Sequence, residues 1–121
     1  MISLPKSTDI YLYSAATDLR KSFDGLSGIV RSQLGREPTD GSLFLFLNRQ
    51  RTRIKILYWD RDGLVVWYKR LEAGTFENLV KANNREPALH LDATELTLLL
   101  AGVSCTSAQR RKRFTPNASN K

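Results

Sequence analysis

Cationic side chains crowd one predicted hairpin near the middle of the 121-residue chain. Its loop carries Arg49 and Arg51, and the strand that follows carries Arg53 and Lys55. Arg70 belongs to the next predicted strand, on the same sheet face as Arg53. Cations contact phosphates whatever the base sequence, because each neutralised phosphate releases counterions. These five side chains are therefore predicted to form a nucleic-acid-binding surface.

A second group of cations stands near the end of the chain. Residues 103–121 contain five of the 19 Lys and Arg residues and none of the 12 acids. Four of the five form one run: Arg110, Arg111, Lys112 and Arg113. A segment rich in Ser, Thr and Asn cannot offset the entropy of its own ordering. We therefore predict a disordered basic tail that either binds phosphate backbones or only keeps the chain in solution.

The acidic, cysteine and histidine side chains offer little for catalysis. Two-metal nucleases need carboxylates that converge on ions about 4 Å apart, whereas Asp60 and Asp62 fall in a predicted turn. Cys105 and His90 are the only cysteine and the only histidine, too few for a structural zinc site or a disulfide. We therefore predict no catalytic residue, no metal site and no cofactor. A small metal-dependent nuclease that uses the two aspartates is the weakest alternative.

Hydrophobic spacing predicts a strand followed by a long helix in the first part of the chain. Asp9–Tyr13 is short and rich in β-branched and aromatic residues, as strands are. A helix over Asp18–Leu34 follows, with Thr17 as its N-cap. Its apolar face consists of Leu19, Phe23, Leu26, Val30 and Leu34. Gly25 and Gly28 lower its helix propensity, so we expect the close approach of another segment, such as a strand, to require them.

Three more strands and a second helix complete the predicted α+β fold. The strands are Leu43–Leu47, Arg53–Trp59 and Leu64–Arg70. The short turns between them indicate an antiparallel meander. Residues 71–91 are predicted to be irregular, and residues 83–87 to be a linker. Asp92 and Glu95 resemble the capping box of a C-terminal helix that ends at Gly102. One domain over residues 1–102 is therefore expected, followed by the basic tail over residues 103–121.

The pairing of the predicted strands sorts their side chains onto two faces. We pair Trp59 with Leu64 and Leu47 with Arg53. One face is then almost wholly apolar and receives the long helix: Phe44, Phe46, Ile54, Ile56, Tyr58, Val65 and Trp67. The other face mixes apolar residues with the cations, and its exposed rings could anchor a protein interface or stack on bases. The candidate partner interface consists of Trp59 and Tyr68 with the adjoining turn residues Asp60 and Asp62. The alternative is that the C-terminal helix covers this face.

Composition also bears on the compartment. No stretch reaches the roughly 20 apolar residues of a membrane span, and the first residues lack the pattern of a secretory signal. We therefore predict a cytoplasmic protein with no membrane partner. The formal net charge of +7 suits a polyanionic partner.

Two segments resemble the TnpB accessory proteins, the products of the second reading frame in the IS66 family of insertion sequences. They are Asp18–Leu26 (Asp-Leu-Arg-Lys-Ser-Phe-Asp-Gly-Leu) and Arg53–Phe76, which contains Tyr-Trp-Asp-Arg-Asp-Gly and Trp-Tyr-Lys-Arg-Leu. With residues 10–13 and 41–46, the resemblance covers residues 9–102. It implies these family-defining positions: Asp18, Arg20, Lys21, Phe23, Asp24, Gly25, Tyr58, Trp59, Asp60, Asp62, Gly63, Trp67, Tyr68, Lys69 and Arg70.

The resemblance implies a non-catalytic role in transposition beside a separate, larger transposase that carries the catalytic acids. Its expected partners are that companion transposase and the DNA of the insertion-sequence ends. A stand-alone nucleic-acid-binding regulator is the main alternative. Strong salt dependence of DNA binding would support both the accessory protein and the regulator. Metal-dependent cleavage that requires Asp60 and Asp62 would support the nuclease.

Overall fold

The computed structural model describes residues 8–103, which form a five-stranded sheet and two helices. The predicted α+β class is confirmed. The elements are β1 (Ile10–Tyr13), α1 (Phe23–Leu34), β2 (Leu43–Leu47), β3 (Arg53–Asp60), β4 (Gly63–Arg70), β5 (Ala88–Leu91) and α2 (Ala93–Ala101). The tail cations at residues 110–113 lie outside the described residues, so the predicted basic tail stays a prediction.

The strands follow the order β4-β3-β2-β1-β5 across the sheet. β2, β3 and β4 form the predicted antiparallel meander. β1 pairs with β2 in parallel, and a parallel connection needs a crossover, which α1 supplies. β5 pairs with β1 in antiparallel orientation. The sheet therefore places β1 in its interior, between β2 of the meander and β5.

The register of the meander agrees with the prediction in one hairpin and differs by one residue in the other. Trp59 pairs with Leu64 as expected, but Leu47 pairs with Ile54 instead of Arg53. The reason lies in Asn48, whose N–H donates to the Arg53 carbonyl at 3.3 Å. Its side-chain oxygen also accepts the Arg53 N–H at 3.0 Å. The turn thus closes on Asn48, and the predicted register between β2 and β3 is wrong.

This shift changes which side chains share a face, because strand side chains alternate. Phe44 and Phe46 pack with Leu57 under Leu26 and Val30 of α1. The other face packs against α2, through Leu96, Leu99 and Leu100, and its buried strand residues are Ile10, Leu12, Leu43, Leu45, Leu47, Ile54, Ile56 and Leu91. The prediction that Ile54, Ile56 and Trp67 lie under α1 is therefore wrong. A helix covers each face, so the sheet has two apolar sides.

Two large side chains are less buried than predicted. Trp67 is half-buried and packs at the margin of the α2 cluster, so it is not the core residue that we expected. Phe23, the first residue of α1, is 45% exposed. Leu19, Leu26 and Val30 cover the sheet in its place, with Ile29 and Leu34 partly buried beside them.

α1 begins later than predicted. Its N-cap is Ser22, not Thr17, and its first helical residue is Phe23. The preceding residues form a turn in which the Lys21 N–H donates to the Asp18 carbonyl at 3.1 Å. Leu19 still reaches the core from this turn, which explains why its spacing imitates a helical position. Gly35 ends the helix with a positive φ of 63°.

The segment after β4 is more ordered than predicted. The Phe76 ring is fully buried in the α2 cluster, and its N–H donates to the Arg51 carbonyl at 2.7 Å. Residues 88–91 form β5, so the prediction of an irregular segment through residue 91 is wrong. Asp92 and Glu95 form the predicted capping box of α2, which ends at Gly102. Neither helix among residues 8–103 is long and apolar enough to cross a bilayer.

Candidate functional site

An open groove of about 500 Å³ lies where three segments of the chain meet. The segment that links β1 to α1 forms one wall, the β2–β3 loop forms another, and side chains of β3 and β4 complete it. The lining residues are Ala16, Thr17, Asp18, Leu19, Arg20, Asn48, Arg49, Gln50, Arg53 and Tyr68. Three of them are arginines and one is an aspartate.

The first wall is a turn that Asp18 fixes. Its carboxylate accepts the Arg20 N–H at 3.0 Å and holds the Arg20 guanidinium through Nε at 3.0 Å and a terminal nitrogen at 2.6 Å. The side-chain and backbone hydrogen bonds from Arg20 lower the pKa of Asp18 from 3.8 to about 2. Asp18 is therefore ionised in neutral solution. Its charge neutralises much of Arg20 at the rim of the groove.

Lys55 joins this wall to the sheet. Its ammonium is nearly buried, with the residue 8% exposed, and donates to the Lys21 carbonyl at 2.8 Å. The Lys21 side chain passes close over α1, so a Cβ on Gly25 would lie 3.0 Å from Lys21 Cβ. A side chain, not the strand that we expected, therefore requires the glycine at this position. A Cβ on Gly28 would meet nothing within 4 Å.

The Tyr68 ring lies beside Lys55 on the same face of the sheet. Lys55 Nζ is 4.9 Å from the ring centroid, in a cation–π arrangement. An Arg53 guanidinium nitrogen donates to the Tyr68 hydroxyl at 3.4 Å. Tyr68 is nonetheless 48% exposed. The ring is thus held at its edge and from one side, while much of its surface remains accessible to a ligand.

The β2–β3 loop carries Arg49 on a braced turn. The Asn48 side chain accepts the Thr52 N–H at 2.9 Å and donates to the Thr52 hydroxyl at 3.1 Å. Arg51 adopts a left-handed φ of 56° that lets the loop close. Arg49 is exposed, and within residues 8–103 its guanidinium has no hydrogen-bond or ion-pair partner. A rigid loop therefore presents a cation that is available to an anion.

The structure brings together only some of the residues predicted to bind nucleic acid. Arg49 and Arg53 line the groove with Tyr68, which we had placed in a partner interface. Lys55 lies behind the ring, where its ammonium contacts it. Arg51 turns away, and its Nε donates to the Phe76 carbonyl at 3.2 Å.

The remaining predicted site residues lie elsewhere. Arg70 is exposed and pairs with Glu72 at 3.0 Å. Trp59 pairs with Leu64 at the far end of the β3–β4 hairpin, and the exposed aspartates at positions 60 and 62 flank its tip. Arg61, between them, has a φ of 57°. The partner interface that we predicted is thus divided, with Tyr68 in the groove and its other members at the tip.

Residues 16–20 also line this groove, a contribution that was not predicted from the sequence. The parallel pairing of β1 with β2 places that segment beside the β2–β3 loop, and the Thr17 N–H donates to the Leu47 carbonyl at 2.8 Å. The Thr17 hydroxyl is buried and has no partner within the described part of the chain. One signal was available, because Asp18 and Arg20 belong to the motif that carries the family resemblance. No group of three or more His, Cys, Asp or Glu residues in the range 8–103 is placed to hold a metal ion.

The sequence matches the profile of the IS66 Orf2-like proteins over residues 8–110. It is 31% identical over 111 residues to the uncharacterized protein y4jC of Sinorhizobium fredii, with 92% of each chain covered. It is also 28% identical over 115 residues to the uncharacterized protein y4hO of the same organism, over 95% of this chain and 97% of that one. No solved structure matches the chain significantly.

Proposed function

Because the chain belongs to the IS66 Orf2-like family of insertion-sequence proteins, we propose that it is a non-catalytic accessory protein of transposition. It assists a separate, larger transposase of the same element and contacts the DNA of the element's ends. The groove lined by Arg49, Arg53 and Tyr68 supplies the DNA contact. The companion transposase supplies the chemistry.

One observation carries the proposal: two family-motif segments that are distant in sequence meet at this groove. The Asp18–Leu26 segment forms its wall, and the Arg53–Phe76 segment contributes Arg53 and Tyr68. Cations and an accessible ring bind polyanions and bases, whereas strand cleavage by metal ions needs converging carboxylates. The single acid of the groove, Asp18, is already engaged by Arg20. The residues of these two segments that line the groove thus suit binding better than bond cleavage.

A transposition assay in cells tests the accessory role. The element is supplied with its transposase and with wild-type protein, no protein, or the double variant Arg49→Glu/Arg53→Glu. We expect transposition to require the protein and to fall strongly in the double variant, because two groove cations become anions. Arg85→Glu, an exposed charge reversal outside the groove, is the matched control and should support transposition. Undiminished transposition without the protein contradicts the proposal, and altered transcription of the element would then favour a stand-alone regulator.

A cleavage assay tests the non-catalytic part of the proposal. With Mg²⁺ or Mn²⁺ and DNA from the ends of the element, the purified protein should neither nick nor join strands. When mixed with the companion transposase, it should co-purify with it or change its activity on the same DNA. Reproducible cleavage that disappears in Asp60→Ala or Asp62→Ala would establish the nuclease instead.

A further inference from the structure

We propose that the groove holds one unpaired nucleotide of DNA, with its base stacked on Tyr68 and its flanking phosphates on Arg49 and Arg53. The inference rests on the proposed function and specifies the form of DNA that the accessory protein recognises. Three features of the groove carry it: the presentation of the ring, the balance of charge around it, and its recessed shape.

The Tyr68 ring has the properties of a stacking platform. It and Phe23 are the two large hydrophobic side chains that are exposed within residues 8–103. Lys55 Nζ lies 4.9 Å from the ring centroid, and Arg53 holds the hydroxyl. Because these contacts fix the ring before a ligand arrives, stacking a base on it costs little further side-chain entropy. Base stacking on such a ring does not depend on the identity of the base.

The charges around the ring favour an anion. Lys55 is nearly buried, and neither the Lys21 carbonyl nor the Tyr68 ring that it contacts carries a formal negative charge. Arg49 has no partner within the described residues, and Arg53 contacts only the neutral Tyr68 hydroxyl. Asp18 is occupied by the bidentate contact with Arg20. The ring is therefore surrounded by positive charge that no carboxylate of residues 8–103 balances.

The shape of the groove selects an unpaired nucleotide over a duplex. Its volume of about 500 Å³ falls within the range of small-ligand sites, roughly 300–1,000 Å³. In a duplex the base faces are stacked on one another, so a protein ring reaches them only when a nucleotide is unpaired or splayed out. A flat basic surface would suffice for duplex phosphates. A recess with a ring among its lining residues offers in addition a face on which a base that enters can stack.

Binding to a dye-labelled oligothymidylate of about 12 nucleotides, measured by fluorescence anisotropy, tests the role of the ring. We expect wild-type protein to bind it more tightly than a duplex of equal length. Tyr68→Ala should weaken binding roughly 5- to 150-fold, whereas Tyr68→Phe should retain it, because only the ring face is needed. Phe23→Ala, the matched removal of an exposed ring outside the groove, should bind like wild type. A thermal melt of each variant verifies that it is folded.

Two further measurements test the arrangement of the ligand. Arg49→Ala and Arg53→Ala should each flatten the salt dependence of oligothymidylate binding by about 0.7 in the logarithmic slope, while Arg85→Ala should leave it unchanged. An oligonucleotide that contains 5-iodouracil should photo-crosslink to Tyr68, as peptide mapping would show. Cross-links confined to other residues overturn the proposed stacking.

The outcomes separate this inference from the accessory role. If oligothymidylate does not bind, or if Tyr68→Ala weakens duplex and single strand equally, the nucleotide site is overturned and the accessory role stands. If Tyr68→Ala abolishes binding to the companion transposase and leaves oligonucleotide binding intact, the groove is a protein interface and the nucleotide site is again overturned. If transposition is indifferent to loss of the whole protein, the accessory role fails whatever the oligonucleotide shows.

Discussion

Two clusters on the α1 face of the sheet place a cation over a tyrosine ring, and they differ in their acids. In the first, Arg36 lies 4.3 Å from the Tyr11 ring centroid and pairs with Asp40. His90 stacks on the same ring at 4.9 Å and contacts Asp9 at 3.1 Å. We call this the closed cluster, because Arg36 and His90 each contact a carboxylate.

The second, the open cluster, consists of Tyr68, Lys55 and Arg53. It lies on β3 and β4, whereas Tyr11 of the closed cluster lies on β1. Its cations contact a carbonyl, a ring and a hydroxyl, and no carboxylate of residues 8–103. A cation beside a tyrosine ring thus has a different role in each cluster. In the closed cluster, where carboxylates pair with Arg36 and His90, the contacts hold β1 to its neighbours. In the open cluster, the cations are available to an anionic ligand.

The comparison predicts its largest effect in the core beneath the closed cluster. Phe44 is fully buried, and its ring is 6.0 Å from that of Tyr11. Phe44→Ala should lower the free energy of unfolding by about 3–5 kcal/mol, because it removes a buried ring and leaves a cavity. Tyr68→Ala, in the open cluster, should cost about 1 kcal/mol or less. Urea unfolding measures both, and similar losses would contradict the division of roles.

Lys55 is the residue of the open cluster whose loss should cost the most stability. Lys55→Met keeps the packing of the side chain but leaves the Lys21 carbonyl without its donor. The expected cost is about 1–3 kcal/mol of unfolding free energy, together with weaker oligonucleotide binding. Lys81→Met, at an exposed lysine outside the groove, is the control and should change neither. A variant as stable as wild type would show that the Lys55–Lys21 contact does not hold the groove wall.

The strands of the closed and open clusters were predictable to different degrees. Alternation and turn residues predicted β2 with its observed bounds and the β3–β4 pairing. The prediction of the β2–β3 register failed for a physical reason. Because α1 and α2 cover the two faces of the sheet, both faces are apolar, and no contrast in polarity between them fixes the register. β5 was not predicted, because a strand of only four residues that includes His90 has too short a hydrophobic pattern to indicate a strand.

The groove itself was predictable only in part. The cations at positions 49 and 53 follow from the sequence, since they flank a turn in a basic hairpin. Their meeting with Asp18 and Arg20 depends on the parallel pairing of β1 with β2, a long-range contact without a local signal. The helical spacing of Leu19 also concealed the groove wall, because that spacing extended the predicted helix through residues that in fact form a turn.

A smaller effect on stability should distinguish the two glycines of α1. Gly28→Ala should stabilise the protein by up to about 1 kcal/mol, because alanine is the better helix former and its Cβ meets nothing. Gly25→Ala should gain less or become destabilising, since its Cβ would press on Lys21 at 3.0 Å. Thermal melts compare the two, and oligonucleotide binding should fall only in Gly25→Ala. Equal gains in stability would mean that Lys21 moves aside freely.

The smallest predicted effect concerns two aspartates, one that lines the groove and one in the closed cluster. Asp18→Asn removes the negative charge of the groove and releases Arg20, while its side-chain oxygen can still accept the Arg20 N–H that closes the turn. Oligothymidylate affinity should rise roughly two- to fivefold, the scale of an exposed ion pair. Asp40→Asn releases Arg36 in the closed cluster in the same way. It should leave the affinity unchanged, because that arginine lies away from the groove.

The pH dependence of the same ion pair provides an internal check. The pKa of Asp18 is lowered to about 2 by its hydrogen bonds from Arg20. Its contribution to the fold is therefore complete above the ordinary value of 3.8 and is lost only as the pH falls towards 2. At about pH 3, an Asp18 with this lowered pKa stays largely ionised, whereas one with the ordinary pKa of 3.8 would be largely protonated. The affinity ratio of Asp18→Asn to wild type should therefore be the same at about pH 3 as at about pH 7. A ratio that falls towards one at the lower pH would show that Asp18 does not hold Arg20 in solution, and the groove would then carry three available arginines.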